Sequence, residues 1–260
     1  MVREIKVPEV PKIASTSYDG RHVLEFNEGS HRYKLDGKAA VGTTTFIKGG
    51  YPTSDALIQW MAGQAAAAAL AFGRAGDERP DKDIIREARG ASRKKSEEAA
   101  NIGSQVHEYA ETGILQPDRD ARVDMAVDAF RAWRDKNVDT DIVREQIIAS
   151  PIYKFCGKFD RLAVRGTRLV LSDYKTSSGI YVEMFLQLAA YRLAIREWLG
   201  RNVDALEILR FGKDGEFQTV YIDEPTEIEE LTAQVIRCRE TYGFRRWEED
   251  ERFKYGGVKG

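Results

Sequence analysis

Residues 166–167, Gly-Thr, separate two runs with strand chemistry, and this pair restricts the chain more than any other feature. Residues 153–164 (YKFCGKFDRLAV) and 168–174 (RLVLSDY) are rich in aromatic and β-branched side chains, which favour a pleated strand. A Gly-X pair suits a two-residue type II′ turn, because glycine takes a positive φ without steric cost. Such a turn sets the register. Arg165 then faces Arg168, Val164 faces Leu169, and Leu162 faces Leu171. Continued outward, Asp160 falls opposite Asp173, and Lys158 opposite Lys175. With a side-chain period of two, the eight residues from Val164 and Leu169 outward share one sheet face, apolar near the turn and charged at its open end.

Two opposed carboxylates repel and destabilise a hairpin unless their charge is cancelled. A divalent cation does this most simply, and Mg²⁺ or Mn²⁺ prefers hard oxygen ligands. A lysine two residues beyond one ligand points into the same site, where it can orient a water or offset charge on a phosphate. A bare Asp-x-Lys also reads as an exposed strand end with a surface ion pair.

The chain has 260 residues, 32% of them charged and 42% hydrophobic, as expected of a folded globular protein. A net charge of −2 neither advertises nor excludes a nucleic-acid partner, since a basic groove beside an acidic site averages to nearly zero. Cys156 and Cys238 are too few for a four-cysteine zinc or iron–sulfur site, so no iron–sulfur cluster is expected. No Walker A sequence is present, which argues against a nucleotide cofactor. The apolar run 65–72 is too short to span a bilayer, and MVREIKVPEV lacks a signal-peptide core. A reducing cytoplasm and no membrane partner are the expectation.

Residues up to about 20 read as irregular, followed by strands over 22–26 and 31–41. Pro52-Thr53-Ser54-Asp55 is a helix-start signal, and an alanine-rich helix over 56–72 places Trp60 in the core. Further helices are expected over 82–99, 101–112 and 118–136. A strand-rich block over 142–174 precedes a helix over 181–199. Strands 205–211 and 217–222 flank Lys213-Asp214-Gly215, and a helix over 227–242 follows. The order predicts an α/β fold with a mixed sheet, in which residues 1–100 form a hairpin and helical elaboration of a core at 101–260. His22 and His31 have no carboxylate spaced to partner them. Arg93 and Lys94 lie on a highly charged helix that reads either as a solvated face or as a phosphate-tracking surface.

Other residues can complete the charged end of the hairpin. His107 has Glu111 one turn beyond it on the same helix face. Glu145 begins the strand before the hairpin, and either approaches the same sheet edge or stays on the surface. Gln187 and Tyr191 lie four apart on the helix after Asp173-Tyr174-Lys175, where they can meet a phosphate or base, or pack inward.

In their order, Gly103 to His107, Glu145, Gly157-Lys158-Phe159-Asp160, Asp173-Tyr174-Lys175 and Gln187 to Tyr191 resemble the PD-(D/E)XK nuclease superfamily. The closest likeness is to its RecB-like and phage-type exonuclease branch, over roughly residues 100–195. The resemblance implies a restriction-endonuclease-like core, a central mixed β-sheet flanked by helices. It implies that Asp160, Asp173, the Tyr174 carbonyl and His107 hold Mg²⁺ or Mn²⁺, that Lys175 assists the attacking water, and that Glu145 and Glu111 support the site. DNA contacts are expected from Gln187, Tyr191, Lys158, Thr176, Arg93 and Lys94, with Gln187 and Tyr191 alternatively bracing the site. Phe159 stands where the superfamily name has proline, a common departure in this branch. The implied activity is metal-dependent DNA exonuclease in phage or bacterial recombination, repair or processing. The alternatives are a non-catalytic recombination-accessory DNA-binding protein and a structure-specific endonuclease. The implied partners are DNA and a recombination or single-strand-binding protein, and an oligomer is compatible with the family.

Overall fold

The structure is a computed structural model that describes residues 12–248. The signal-peptide reading of residues 1–10, and the first part of the stretch expected to be irregular, lie outside the described residues. Four short antiparallel strands open the fold: β1 (Lys12–Thr16), β2 (Val23–Asn27), β3 (Arg32–Leu35) and β4 (Lys38–Gly42). Helices α1 (Thr43–Gly50), α2 (Asp55–Arg74), α3 (Asp81–Arg89), α4 (Ala91–Thr112) and α5 (Ala121–Arg134) follow. The strands β5 (Thr140–Ser150), β6 (Phe155–Arg165) and β7 (Arg168–Lys175) lead into α6 (Val182–Leu199). The described fold ends with β8 (Ala205–Phe211), β9 (Phe217–Ile222) and α7 (Pro225–Glu248).

The sheet runs in the order β1-β2-β3-β4-β6-β7-β8-β9, with β5 paired to β6. It is mixed, since β4–β6 and β7–β8 are parallel and the other pairs antiparallel. Along β8 the side chains alternate: Leu206 and Ile208 join the core beneath α6, while Leu209 and Phe211 join the one beneath α4 and α5. That period of two gives the sheet two covered faces.

One detail of the sheet positions everything that follows. On the edge of β6 away from β5, Phe155 and Cys156 pair with Val41 and Gly42 of β4, whereas residues 161–165 pair with β7. Two strands thus share one edge, and Gly157 to Asp160 lie in the fork between them.

Several expectations are corrected. Residues 12–16 form β1 rather than irregular chain, and residues 31–41 form two strands, because Asp36 and Gly37 turn the backbone at φ +51° and +75°. His22 does have a carboxylate partner, Asp36, with Nδ1 2.8 Å from Oδ2, brought close by that turn. The charged helices break at Gly90 rather than near residue 100, and α4 runs unbroken through residue 100. Ser54 caps α2 by accepting from the Leu57 amide, in agreement with the start signal. Trp60 is 39% exposed rather than in the core, because α2 packs chiefly on α3 and α4 and has no buried residue. By length and composition α2 is apolar enough to cross a bilayer, which the count of consecutive apolar residues did not indicate.

Candidate metal centre

Gly166 has φ +62°, as a Gly-first turn requires, and the pairs Arg165–Arg168, Val164–Leu169 and Leu162–Leu171 form as expected. The ladder ends at Arg161–Ser172, short of the expected Asp160–Asp173 and Lys158–Lys175 pairs. Beyond it, the Tyr174 amide donates to Asp160 Oδ2 at 2.6 Å. In a continued ladder that amide would meet the Phe159 carbonyl, by the alternation of hydrogen-bonded pairs. The aspartate side chain takes its place, so the strands part where two carboxylates would otherwise be forced face to face.

A third carboxylate arrives from the other side. In the β5–β6 register Arg144 faces Arg161 and Gln146 faces Phe159, so Glu145 stands across from Asp160. Glu145 has φ +52°, a left-handed conformation that strains a residue with a Cβ. Glu145, Asp160 and Asp173 therefore come from three neighbouring strands, and single ligand atoms of His107, Glu145 and Asp160 lie within 4.8 Å of one another.

Lys175 forms an ion pair with Asp173 Oδ2, and its Nζ donates to Gln187 Oε1 at 3.2 Å. The other end of that amide, Gln187 Nε2, donates to the Tyr191 hydroxyl at 2.8 Å. Tyr191 packs against Gly157 and is 3% exposed. It has no free ring face for a base, and both ends of the Gln187 amide are engaged within the protein, which fits the bracing alternative. Lys158, expected beside Lys175, pairs instead with Glu145 Oε2 at 2.8 Å and lies 3.7 Å from Glu111 Oε2, because the ladder that would carry it to Lys175 has ended.

Helix α4 supplies His107. Its close approach is eased by Gly103, where a Cβ would lie a tight 3.2 Å from Thr176 Oγ1. His107 Nε2 lies 2.9 Å from the Tyr174 carbonyl, which already engages the oxygen expected as a metal ligand. Nδ1 is left facing Asp160 Oδ2 at 3.6 Å and Glu145 Oε1 at 3.9 Å. Arg93 and Lys94 lie near the start of α4, where Arg93 Nε is 3.5 Å from Glu97 and Lys94 Nζ 3.2 Å from Glu87. Both side chains stay largely exposed, so these ion pairs are compatible with either of the two sequence readings. Sequence reasoning missed Thr43, whose buried hydroxyl donates to the Cys156 carbonyl at 2.9 Å and fastens the β4 side of the fork.

The electrostatics favour a cation. Burial opposes charge on His107, but Asp160, Glu145 and Asp173 outweigh it and lift its pKa to about 9. Burial, with Asp173 and Glu145, lifts Asp160 to about 7 against the pull of His107 and Lys175. Burial works against charge on Lys175 also, and Asp173 and Asp160 more than restore it. The carboxylates thus draw protons onto neighbouring groups. Glu145 Oε1 is buried with no hydrogen-bond partner. A hard-oxygen set with an unused buried carboxylate oxygen fits Mg²⁺ or Mn²⁺.

Carboxylates on adjoining strands, a lysine two residues beyond one of them, and a mixed sheet between helices define a nuclease fold. The sequence profile of the PD-(D/E)XK nuclease superfamily matches residues 67–255, and the protein belongs to that superfamily. No match is found among curated protein sequences. Among solved structures, a putative exonuclease from Eubacterium rectale is 13% identical, with 62% of this chain and 75% of that chain covered and a TM-score of 0.39. A phage-related exonuclease from Haemophilus somnus 129PT is 11% identical, with 81% and 96% covered and a TM-score of 0.32. An alkaline exonuclease from Laribacter hongkongensis is 12% identical, with 58% and 84% covered and a TM-score of 0.28.

Proposed function

We propose that this protein is a Mg²⁺- or Mn²⁺-dependent deoxyribonuclease acting as an exonuclease. The observation that carries the reading is the fork, where ligand atoms of His107, Glu145 and Asp160 lie within 4.8 Å of one another and Asp173, on the adjoining strand, pairs with Lys175. Asp160, Asp173 and Glu145, with His107 Nδ1 beside them, would hold the ion, which supplies charge neutralisation at the scissile phosphate and a more acidic bound water. Lys175, tethered by Asp173 and Gln187, holds an ammonium where the attacking water and the developing phosphate charge need a donor. His107 fixes the Tyr174 carbonyl and, when no ion is bound, offsets carboxylate charge. Gln187 and Tyr191 brace Lys175 rather than reading DNA.

An exonuclease is favoured over an endonuclease by the motif order, which resembles the RecB-like and phage-type branch. The reading extends to a role in DNA recombination, repair or processing in a bacterial or phage-infected cytoplasm, with a recombination or single-strand-binding protein as partner. Residues 101–260 carry the chemistry, and the first 100 residues supply β4 to the fork.

The test is digestion of end-labelled linear DNA and covalently closed circular DNA with Mg²⁺, Mn²⁺ or chelator. Linear DNA should lose nucleotides only with metal, and the closed circle should survive. Cleavage of the circle would make the protein an endonuclease. Binding without cleavage, under every metal tried, would make it an accessory protein.

A further inference from the structure

Beside the site, one turn reaches out to two other elements through two cations. Arg210, at the end of β8, pairs in parallel register with Lys175. Its Nε donates to the Ser177 carbonyl at 2.6 Å, two residues beyond Lys175, and Nη2 donates to Asp214 Oδ2 at 3.3 Å. Lys213, in the turn between β8 and β9, donates from Nζ to the Ala99 carbonyl of α4 at 3.2 Å, eight residues before His107. The Gly103–Thr176 approach joins the two elements that the turn holds. Glycine at 212 leaves room for the Arg210–Asp214 pair, since a Cβ there would lie 2.0 Å from Asp214 Oδ1 and 2.8 Å from Arg210 Nη2 and would displace these side-chain ends.

Arg210 is a costly residue to bury for stability alone. It is 3% exposed, and its Nη1 is buried without a hydrogen bond, with Glu216 Oε2 3.8 Å away. The other buried arginine of this sheet, Arg161, is saturated by Asp139, Asp141 and Ser172. An apolar residue would fill the Arg210 position with no unsatisfied donor. What a cationic donor supplies here, and an apolar residue cannot, is a fixed grip on the backbone that follows Lys175.

We propose that Arg210 is a positioning residue for DNA hydrolysis, and that the β8–β9 turn is a clasp setting the spacing between Lys175 on β7 and His107 on α4. The proposal rests on the nuclease reading above. A small shift of positioned groups lowers turnover steeply, by as much as about 10²-fold per ångström. DNA binding, made over a wider surface, does not depend on that spacing.

The experiment compares Arg210→Met, Arg210→Lys and Lys213→Met with the wild-type chain. It reads kcat and KM on end-labelled duplex DNA with saturating Mg²⁺, DNA affinity in chelator, the thermal midpoint, and amide hydrogen exchange over residues 176–181. Arg210→Met should lose kcat by about 10-fold or more, keep its DNA affinity within about twofold, and exchange faster over 176–181. Arg210→Lys should recover much of the kcat, since an ammonium can still reach the Ser177 carbonyl. A wild-type kcat in Arg210→Met, or a lysine variant as impaired as the methionine variant, overturns the proposal. If Arg210→Met does not fold, Lys213→Met tests the other arm: lowered kcat at unchanged affinity supports the clasp, and wild-type kcat overturns it. Asp173→Asn is the control for the nuclease reading. If it releases nucleotides as fast as wild type, that reading fails, and exchange over 176–181 in Arg210→Lys and Arg210→Met then decides the clasp alone.

Discussion

Gly157 and Tyr191 fit so closely that a Cβ on residue 157 would lie 2.4 Å from Tyr191 Cε1 and 2.8 Å from Thr43 Oγ1. The glycine of the Gly-x-x-Asp segment is therefore a packing requirement: it lets α6 settle against the fork and bring Gln187 to Lys175. Neither neighbour can give way easily, because Tyr191 is buried and Thr43 is tied to the Cys156 carbonyl. Gly157→Ala should lower stability by about 1–3 kcal/mol, the usual cost of overpacking, measured by urea denaturation. Cleavage should fall as well, because the displaced ring carries Gln187 with it. An unchanged denaturation midpoint would show that α6 yields at this point.

Tyr191→Phe keeps the ring and removes only the hydroxyl that accepts from Gln187 Nε2. One lost neutral hydrogen bond is worth about 0.5–1.5 kcal/mol, so single-turnover cleavage should slow by roughly 2- to 13-fold. DNA affinity in chelator should stay the same, because the ring is buried. A matching loss of affinity would return Tyr191 to the DNA surface.

Glu145 combines a strained backbone with a carboxylate aimed at Asp160. Glu145→Gly removes the ligand and relieves the positive φ together. Mg²⁺ or Mn²⁺ affinity, measured by titration calorimetry, should fall by at least about 10-fold. The metal-free variant should melt no lower than the metal-free wild type, since glycine tolerates this conformation. Metal affinity equal to wild type would remove Glu145 from the site.

On the other side of the sheet Asp139 bonds both Arg161 and Arg165. Burial raises its pKa, but the two guanidinium groups outweigh burial and hold it below the usual aspartate value. A carboxyl whose pKa is depressed on folding adds stability that is complete above its unfolded value, about 3.9, and is lost as pH falls through the lower folded value. Asp139→Asn should cost about 3–5 kcal/mol at pH 7, because it leaves buried Arg161 short of a charge partner. The gap between variant and wild type in denaturant should narrow below about pH 4. A gap independent of pH would assign the cost to packing.

The legible parts of the sequence were those governed by local periodicity. The Gly166-Thr167 turn fixed the hairpin register as far as Arg161 and Ser172, and β8 and β9 fall at the expected residues. Where period-two pairing stopped, so did the reading: Lys158 left the expected partnership with Lys175 because Asp160 replaced a strand carbonyl. The N-terminal strands were blurred by their length, four or five residues each, and by an Asp36-Gly37 turn within one apparent run. Composition pointed Trp60 inward, but no element of the described fold buries α2. The residues gathered at the fork were visible as residue types in order, as candidates. Their contacts were not, because the fork needs β4, more than 100 positions away from β6 (Thr43 and Cys156 are 113 apart).

That same fork imposes a schedule on the protein. Its first prong, β4, leaves the ribosome long before β6, β7 and the Gln187 that steadies Lys175. Local folding can make the Gly166-Thr167 hairpin early, but contacts between distant parts of a chain form slowly. Until that long closure is made, the fork is incomplete, and a partial chain carries the residues of the candidate site without its geometry. The site thus arrives late in synthesis, once β4 and β6 have met.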